Sequence, residues 1–177
     1  MNFDEKEIIE ECKKGKPRAQ KALYDKYSKK LFGLCLRYCR NSEDAQDVFQ
    51  EAFVKVYYQL DKYDNKGSFE GWMRRVFVNH ALNYYRYDKR NVQVPEYEID
   101  FVDQNVFDRF TRDELLGVIQ RLSHNQRIIF NMVEVEGYSY TDVAEFMSIT
   151  ESGVRSQNFK AKRELQRMLL EAEKEIK

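Results

Sequence analysis

The chain has 177 residues, of which 42% are apolar and 14% aromatic, and its 30 basic and 30 acidic residues give a formal net charge of zero. This content is enough for one hydrophobic core or two small ones without disulfides, and any affinity for nucleic acid must come from local segregation of charge. Seven Gly and two Pro leave few turns, which favours an all-α protein and argues against a sheet-rich one.

Other classes of protein are disfavoured by what the sequence lacks. No apolar run approaches the length of a membrane span and the charged start is unlike a signal peptide, so we expect a cytosolic protein. The three cysteines, Cys12, Cys35 and Cys39, are predicted to be buried free thiols. With two histidines, no catalytic grouping, no phosphate loop and no metal-ligand spacing, we expect no catalysis, no cofactor and no metal.

Three segments of helical periodicity open the chain. They are predicted at Phe3–Lys13, Arg18–Arg40 and Glu43–Leu60. The first is followed by Gly15 and by Pro17, which suits the first turn of the second helix, and Ser42 is expected to be the N-cap of the third.

The third helix has two distinct faces. Its apolar face comprises Ala45, Val48, Phe49, Ala52, Phe53, Val56 and Leu60. Its polar face begins with Glu43, Asp44, Asp47, Gln50 and Glu51. Such a face is either an ordinary solvated surface or a docking surface for a basic partner.

The stretch from Asp61 to Arg90 contains a fourth predicted helix, which begins after Ser68 and carries two stripes. The apolar stripe is Met73, Phe77, Ala81 and Tyr84. The other stripe is Trp72, Arg75, Asn79, Asn83 and Arg86. It combines a stacking ring, amides and guanidiniums with no acid, which is typical of a nucleic-acid surface, although an incidental polar stripe is the alternative.

A short polar loop precedes this helix. It carries Tyr63, Asn65 and Lys66 in front of Gly67. The loop is either a plain connector or part of a pocket for a base removed from its stack.

After the fourth helix, Val92–Phe110 has an acidic bias and no regular period, and we interpret it as a linker. A second domain is predicted from Thr111, with an apolar helix followed by a cap at Ser123. A capping box at Ser139 predicts a helix over Tyr140–Met147, and Thr150 is expected to cap a longer helix over Glu151–Leu170. This arrangement predicts a helix-turn-helix with the last segment as recognition helix.

The predicted recognition helix turns Val154, Ala161, Leu165 and Met168 inward. Its outward candidates for DNA contact are Arg155, Ser156, Phe159, Lys160 and Lys162. Arg and Lys suit guanine edges or phosphates, Ser a phosphate, and Phe a thymine methyl group.

Three stretches in this order, DAQDVFQEAFVKVYYQL, FEGWMRRVFVNHALNYYR and EGYSYTDVAEFMSITESGVRSQNFKAKREL, closely resemble bacterial RNA polymerase sigma factors of the extracytoplasmic-function (ECF) type. The resemblance covers nearly the whole chain. It implies a region 2-like domain over residues 1–91, a linker over 92–110 and a region 4-like helix-turn-helix domain over 111–177. It also implies that the protein directs core polymerase to promoters by reading minus-thirty-five and minus-ten elements and assisting strand opening.

The resemblance assigns roles to the candidate residues. Asp44, Asp47, Gln50 and Glu51 correspond to a surface that grips the clamp coiled coil of the largest polymerase subunit. The fourth helix and its loop correspond to the segment that recognises and opens the minus-ten element, and the recognition helix to the minus-thirty-five reader. An anti-sigma protein is a further partner that the resemblance allows.

Two other functions remain as alternatives. A dimeric helix-turn-helix regulator of duplex DNA explains the C-terminal segment but leaves Trp72, Asn79, Asn83 and the acidic face without a role. A helical protein-interaction module is the third possibility, and copurification with polymerase separates the first hypothesis from both.

Overall fold

The computed structural model describes residues 4–86 and 110–175, and every regular element within these ranges is helical, with no strand. The expected all-α fold is therefore confirmed for the described part of the chain. The chain divides into two compact units, Met1–Lys89 and Arg90–Lys177. None of the helices that the structure describes combines the length and apolarity needed to cross a membrane.

Four α-helices build the described part of the first unit. They are α1 (Glu5–Lys13), α2 (Pro17–Tyr38), α3 (Ser42–Gln59) and α4 (Phe69–Arg86), with a 3-10 turn at Leu60–Lys62. Gly15 has a φ of +72°, which turns the chain after α1, and Pro17 stands at the start of α2, where a missing N–H leaves no hydrogen bond unmade.

The N-cap of α3 differs from the sequence prediction. Asn41, not Ser42, caps the helix: its backbone is extended and its Oδ1 accepts a hydrogen bond from the Asp44 N–H at 2.7 Å. Ser42 is the first helical residue. Asn and Ser are almost equally good N-caps, so two adjacent candidates cannot be ranked from their identity alone.

The core of the first unit lies between α2, α3 and α4. All seven predicted core residues of α3 and its following turn are buried: Ala45, Val48, Phe49, Ala52, Phe53, Val56 and Leu60. The rings of Phe49 and Phe53 on α3 and Phe77 on α4 lie 5.4–5.8 Å apart pairwise. Burying a side chain of this size contributes about 1.5–3 kcal/mol, so this contact fixes which faces of α3 and α4 stay outside.

The three cysteines are free and buried, as predicted. Cys35 and Cys39 are fully inaccessible. Burial also raises the pKa of the Cys12 thiol to about 11. All three therefore behave as small apolar side chains of the core.

Four α-helices also build the described part of the second unit. They are α5 (Arg112–Arg121), α6 (His124–Phe130), α7 (Tyr140–Met147) and α8 (Glu151–Glu175), and a π-helical segment, Asn131–Val135, continues α6. The core is formed by Val118, Ile119, Leu122, Ala161, Leu165, Met168 and Leu169. Of the predicted linker Val92–Phe110, only Phe110 lies within the described residues, and it packs against this core.

Hydrogen-bonded caps define the helices of the second unit. Thr111 and Ser139 each close a capping box, at the starts of α5 and α7. Ser123 is the N-cap of α6, but its hydroxyl donates to the Gln126 side chain at 2.8 Å and accepts no hydrogen bond from a backbone N–H of the first turn. Ser148 adopts the left-handed conformation with a φ of 56°, and Thr150 Oγ1 accepts from the Gly153 N–H at 3.1 Å, which makes the turn between α7 and α8.

Candidate nucleic-acid and partner-binding surfaces

The predicted acid-free stripe of α4 lies on the outside of the first unit. Arg75, Asn79 and Asn83 are exposed, whereas Met73 and Phe77 on the opposite side are fully buried. The two amides stand one helical turn apart, so both present donors and acceptors on one face. Arg86 is the last residue of α4, and its side chain falls outside the described set.

Trp72 packs against two aromatic rings at the start of this stripe. Its ring stacks on Phe69 with centroids 5.6 Å apart and an interplanar angle of 21°. A second contact, to the ring of Tyr63, has the centroids 5.6 Å apart. The indole is half-buried. The ring thus packs against two aromatic side chains of the first unit, and the rest of its surface is partly exposed.

Tyr63, which the sequence placed among the DNA contacts, is buried at 7% exposure. Its hydroxyl donates to the Gly67 carbonyl at 2.9 Å, and its ring centroid lies 5.0 Å from that of Phe69. The Tyr63 ring therefore packs against the loop and Trp72 inside the fold and is not exposed for a base to stack on. For a single tyrosine in a polar loop, the sequence gives no signal that distinguishes a buried ring from an exposed one.

The loop between Tyr63 and α4 is preset by its own hydrogen bonds. Asn65 and Gly67 have positive φ values of 59° and 86°. The backbone N–H of Lys66 donates to Asp64 Oδ1 at 3.1 Å, which holds the pKa of that carboxyl below its usual range. Asn65 and Lys66 are both exposed, as a contact surface requires, but the Lys66 ammonium also pairs with Asp64 at 3.2 Å.

The polar face of α3 is as predicted. Asp47, Gln50 and Glu51 are exposed, and Asp44 is half-buried. The face continues into two apolar side chains that sequence analysis did not single out, Val54 at 51% and Tyr58 at 84% exposure. Their signal was present in the sequence: α3 carries more apolar residues than one helix face accommodates. An open depression of about 390 Å³ is lined by Gln50, Glu51, Val54, Lys55, Tyr58 and His80.

His80 of α4 is buried beneath this depression and was not predicted to have a role there. Its Nε2 lies 3.0 Å from Glu51 Oε2, and its Nδ1 lies 3.1 Å from Lys55 Nζ. Burial, reinforced by the Lys55 charge, lowers the pKa of His80. The neutral imidazole that this favours donates to Glu51 and accepts from Lys55, so α4 fixes two charged side chains of the α3 surface.

The candidate contacts of α8 are unequally accessible. Arg155 and Ser156 are exposed, Phe159 and Lys160 are half-buried, and the Lys162 side chain is 20% exposed. Lys162 Nζ lies 3.4 Å from Glu134 Oε1. The predicted phosphate contact of Lys162 therefore competes with an acid inside the same unit.

Glu134 lies in the π-helical segment, which turns it toward α8. The same oxygen, Oε1, accepts a hydrogen bond from Asn158 Nδ2 at 2.6 Å. Asn158 is 2% exposed and joins the packing between the π-helical segment and α8. π-Helical segments have no simple sequence signature, so this contact could not be predicted.

Arg155 is also constrained by its neighbours. Its Nε and Nη2 donate to Glu151 Oε1 at 3.2 and 2.6 Å. Its guanidinium carbon lies 4.3 Å from the centroid of the Tyr140 ring on α7. A planar group held by an acid on one edge and a ring on one face has a defined orientation, which favours a specific hydrogen-bond partner.

Among the described residues, no group of three His, Cys, Asp or Glu side chains is arranged to hold a metal ion.

Comparison with known proteins gives two family matches in the order expected. Residues 23–91 match the family model for Sigma-70 region 2, and residues 112–165 match that for Sigma-70, region 4. The chain is 29% identical over 182 residues to the RNA polymerase sigma-H factor of Pseudomonas aeruginosa, with 93% of each chain covered. It is 29% identical over 179 residues to the ECF RNA polymerase sigma-E factor of Haemophilus influenzae, covering 88% of this chain and 89% of that one.

A solved structure shares the fold. It is the sigma factor RpoE from Bartonella quintana, described in complex with the anti-sigma factor NepR, with a TM-score of 0.55 and 18% identity. The match covers 85% of this chain and 96% of that one.

Proposed function

We propose that this chain, which belongs to the sigma-70 family and is a sigma factor of the ECF type, binds core RNA polymerase. It directs initiation at promoters with minus-thirty-five and minus-ten elements. The observation that carries the proposal is the pairing of two surfaces on one unit. The acidic face of α3 is suited to binding a protein, and the acid-free face of α4 is suited to binding DNA.

The polymerase contact is assigned to the acidic face of α3. Asp44, Asp47, Gln50 and Glu51 supply charge and hydrogen-bond acceptors for a basic partner. Val54 and Tyr58 extend the face with apolar area, which a stable interface needs at its centre. The partner that fits is the clamp coiled coil of the largest polymerase subunit.

Recognition and opening of the minus-ten element are assigned to α4 and the loop before it. Asn79 and Asn83 offer amides that can pair with the edge of an extruded base, and Trp72 offers a supported ring for stacking. Arg75 adds positive charge for the backbone of the separated strand. Asn65 and Lys66 border this face from a loop of preset shape.

The minus-thirty-five element is assigned to α8. Arg155 and Ser156 are the exposed candidates, with Phe159 and Lys160 beside them. The dimeric regulator is not favoured, because it leaves the match of residues 23–91 to region 2 unexplained.

Three further points follow from family membership. The protein carries out no catalysis of its own, and it acts in the cytoplasm with the polymerase. It has an anti-sigma protein as a partner, a proposal supported by the Bartonella structure, in which the sigma factor is bound to one. Such a protein would restrain the factor by covering its polymerase and DNA surfaces.

In-vitro transcription with purified core polymerase and genomic fragments tests the proposal. Promoter-dependent transcripts that require the added protein are the expected result. Failure to form a complex with core polymerase, together with binding to duplex DNA as a dimer, would instead establish the regulator.

A further inference from the structure

We infer that Glu151 is a positioning residue that sets a guanine preference at the upstream element by fixing the orientation of the Arg155 guanidinium. The inference rests on the proposed function of α8 as a reader of duplex DNA. An acid in the first turn of a helix ordinarily complements the helix dipole, so its place in sequence alone does not suggest this role.

Glu151 occupies one edge of the guanidinium. Its Oε1 accepts from Nε at 3.2 Å and from Nη2 at 2.6 Å. These two donors lie on the same edge of the planar guanidinium. The edge formed by Nη1 and the second hydrogen of Nη2 remains available for another acceptor. Within the described parts of the chain, Nη1 of Arg155 has no hydrogen-bond acceptor.

Contacts from α7 fix the acid and the guanidinium in turn. Thr141 Oγ1 donates to Glu151 Oε2 at 3.0 Å, so both carboxylate oxygens are engaged. The Tyr140 ring lies against one face of the guanidinium at 4.3 Å. The Tyr140 hydroxyl lies 3.5 Å from Nδ2 of the buried Asn158. Arg155 is thus held by both helices of the helix-turn-helix while its side chain stays 59% exposed.

The free edge matches guanine in shape and charge. Guanine presents O6 and N7 in the major groove, and two parallel N–H groups of an arginine pair with both. A phosphate offers acceptors of similar spacing, but it is an anion and the Glu151 carboxylate beside Arg155 repels it. The neutral base edge experiences no such repulsion. Glu151 therefore lowers general affinity for the DNA backbone and favours a base contact.

The test uses holoenzyme assembled from the full chain and core polymerase. A preferred duplex is first selected from a library randomised over the upstream element. The affinity of the holoenzyme is then measured for this duplex and for versions of it in which each G·C pair in turn is replaced by A·T. Wild-type holoenzyme should lose about tenfold in affinity at one guanine. Glu151→Gln should reduce that loss to about threefold or less, bind random duplex more tightly and show a steeper salt dependence.

Three further variants separate positioning from a structural role. Glu145→Gln removes an exposed acid from α7 without touching Arg155 and should leave the guanine preference unchanged. In an Arg155→Ala background, Glu151→Gln should produce no further loss of guanine preference, because Glu151 acts through Arg155. Tyr140→Leu, which keeps Glu151 but removes the ring, should also lower the preference.

An unchanged guanine preference in Glu151→Gln, or an equal reduction with Arg155 absent, would overturn the inference while leaving the proposed function intact. Wild-type holoenzyme that binds all upstream sequences equally would instead overturn the proposed function of α8, and the inference with it.

Discussion

His80 of α4 and Glu51 of α3 are joined by a hydrogen bond of 3.0 Å between Nε2 and Oε2. One residue of this pair is buried in the helix assigned to DNA, and the other is exposed on the helix assigned to polymerase. Because Lys55 of α3 contacts the other ring nitrogen, the imidazole fixes an anion and a cation on the docking surface. Asn79, the residue before His80, lies on the DNA-facing stripe, so the two proposed surfaces share this segment of backbone.

The first prediction concerns pH. The folded protein holds the pKa of His80 below 6.5, chiefly through burial and the Lys55 charge, whereas the unfolded chain releases it to its ordinary value. As pH falls through 6.5, the unfolded state therefore binds more protons than the folded state, and this contribution to the free energy of unfolding decreases. His80→Gln should flatten this dependence between pH 7 and 5 and cost about 1 kcal/mol at neutral pH.

Denaturant unfolding followed by Trp72 fluorescence measures this effect, since Trp72 is the single tryptophan of the chain and lies in the first unit. His124→Gln, which removes the other histidine, is the control and should leave the Trp72 transition unchanged. An identical pH dependence in wild type and His80→Gln would show that other groups cause it.

A second prediction tests the docking surface. Asp44→Lys with Asp47→Lys should weaken binding to core polymerase by about tenfold or more, because two contacts become repulsive. The fold should be retained, since the buried face of α3 is untouched. The matched control is Glu7→Lys with Glu10→Lys, which makes the same charge change on exposed positions of α1. Equal capture of polymerase by both double variants would remove the docking role from these residues.

A third prediction extends the α3 surface beyond its charges. Tyr58→Ser should weaken polymerase binding without lowering stability, because the ring is 84% exposed and contributes little to the core. Tyr24→Ser, at a ring that is 45% exposed but packs on Phe49 and Phe53, should instead destabilise the fold by about 1 kcal/mol or more. Binding by surface plasmon resonance and thermal unfolding separate the two effects. Wild-type affinity in Tyr58→Ser would show that Tyr58 is not part of the polymerase-binding surface.

A fourth prediction separates two candidate contacts of α8. Arg155→Ala should cost about 1–3 kcal/mol on the preferred upstream element and relax its sequence specificity. Lys162→Ala should have a small, sequence-independent effect, because Lys162 is largely covered and lies 3.4 Å from Glu134. Titration of specific and random duplexes over a range of salt distinguishes them. A larger loss for Lys162→Ala than for Arg155→Ala would reverse the assignment.

Periodicity predicted the buried and exposed faces of α3 and α4, because an amphipathic helix repeats its pattern every 3.6 residues. Capping residues likewise predicted the starts of α6, α7 and α8, at Ser123, Ser139 and Thr150. The contacts of Tyr63 with Trp72, His80 with Glu51 and Lys162 with Glu134 could not be predicted. They join residues from different parts of the chain, and only the folded arrangement of the helices brings them together.

The last prediction tests Asn79 and Asn83. Only an initiation factor requires these two residues to bind the separated strands of DNA. Both are exposed on the face that also carries Trp72, while the buried side of α4 holds the fold. Unpairing a base costs about a few kcal/mol, and new contacts to the extruded base must offset it. Asn79→Ala with Asn83→Ala should therefore retain polymerase binding and closed-complex formation but reduce opening on duplex promoters by about tenfold or more.

A promoter that is unpaired in advance across the minus-ten element removes the opening cost, so it should restore most of the activity of the double variant. Permanganate reactivity of unpaired thymines measures opening on the two templates. Asn125→Ala, at an exposed amide on α6 outside the proposed contacts, is the control and should open duplex promoters normally. If the Asn79/Asn83 variant also opened them normally, strand separation would have to be assigned to other residues of the first unit.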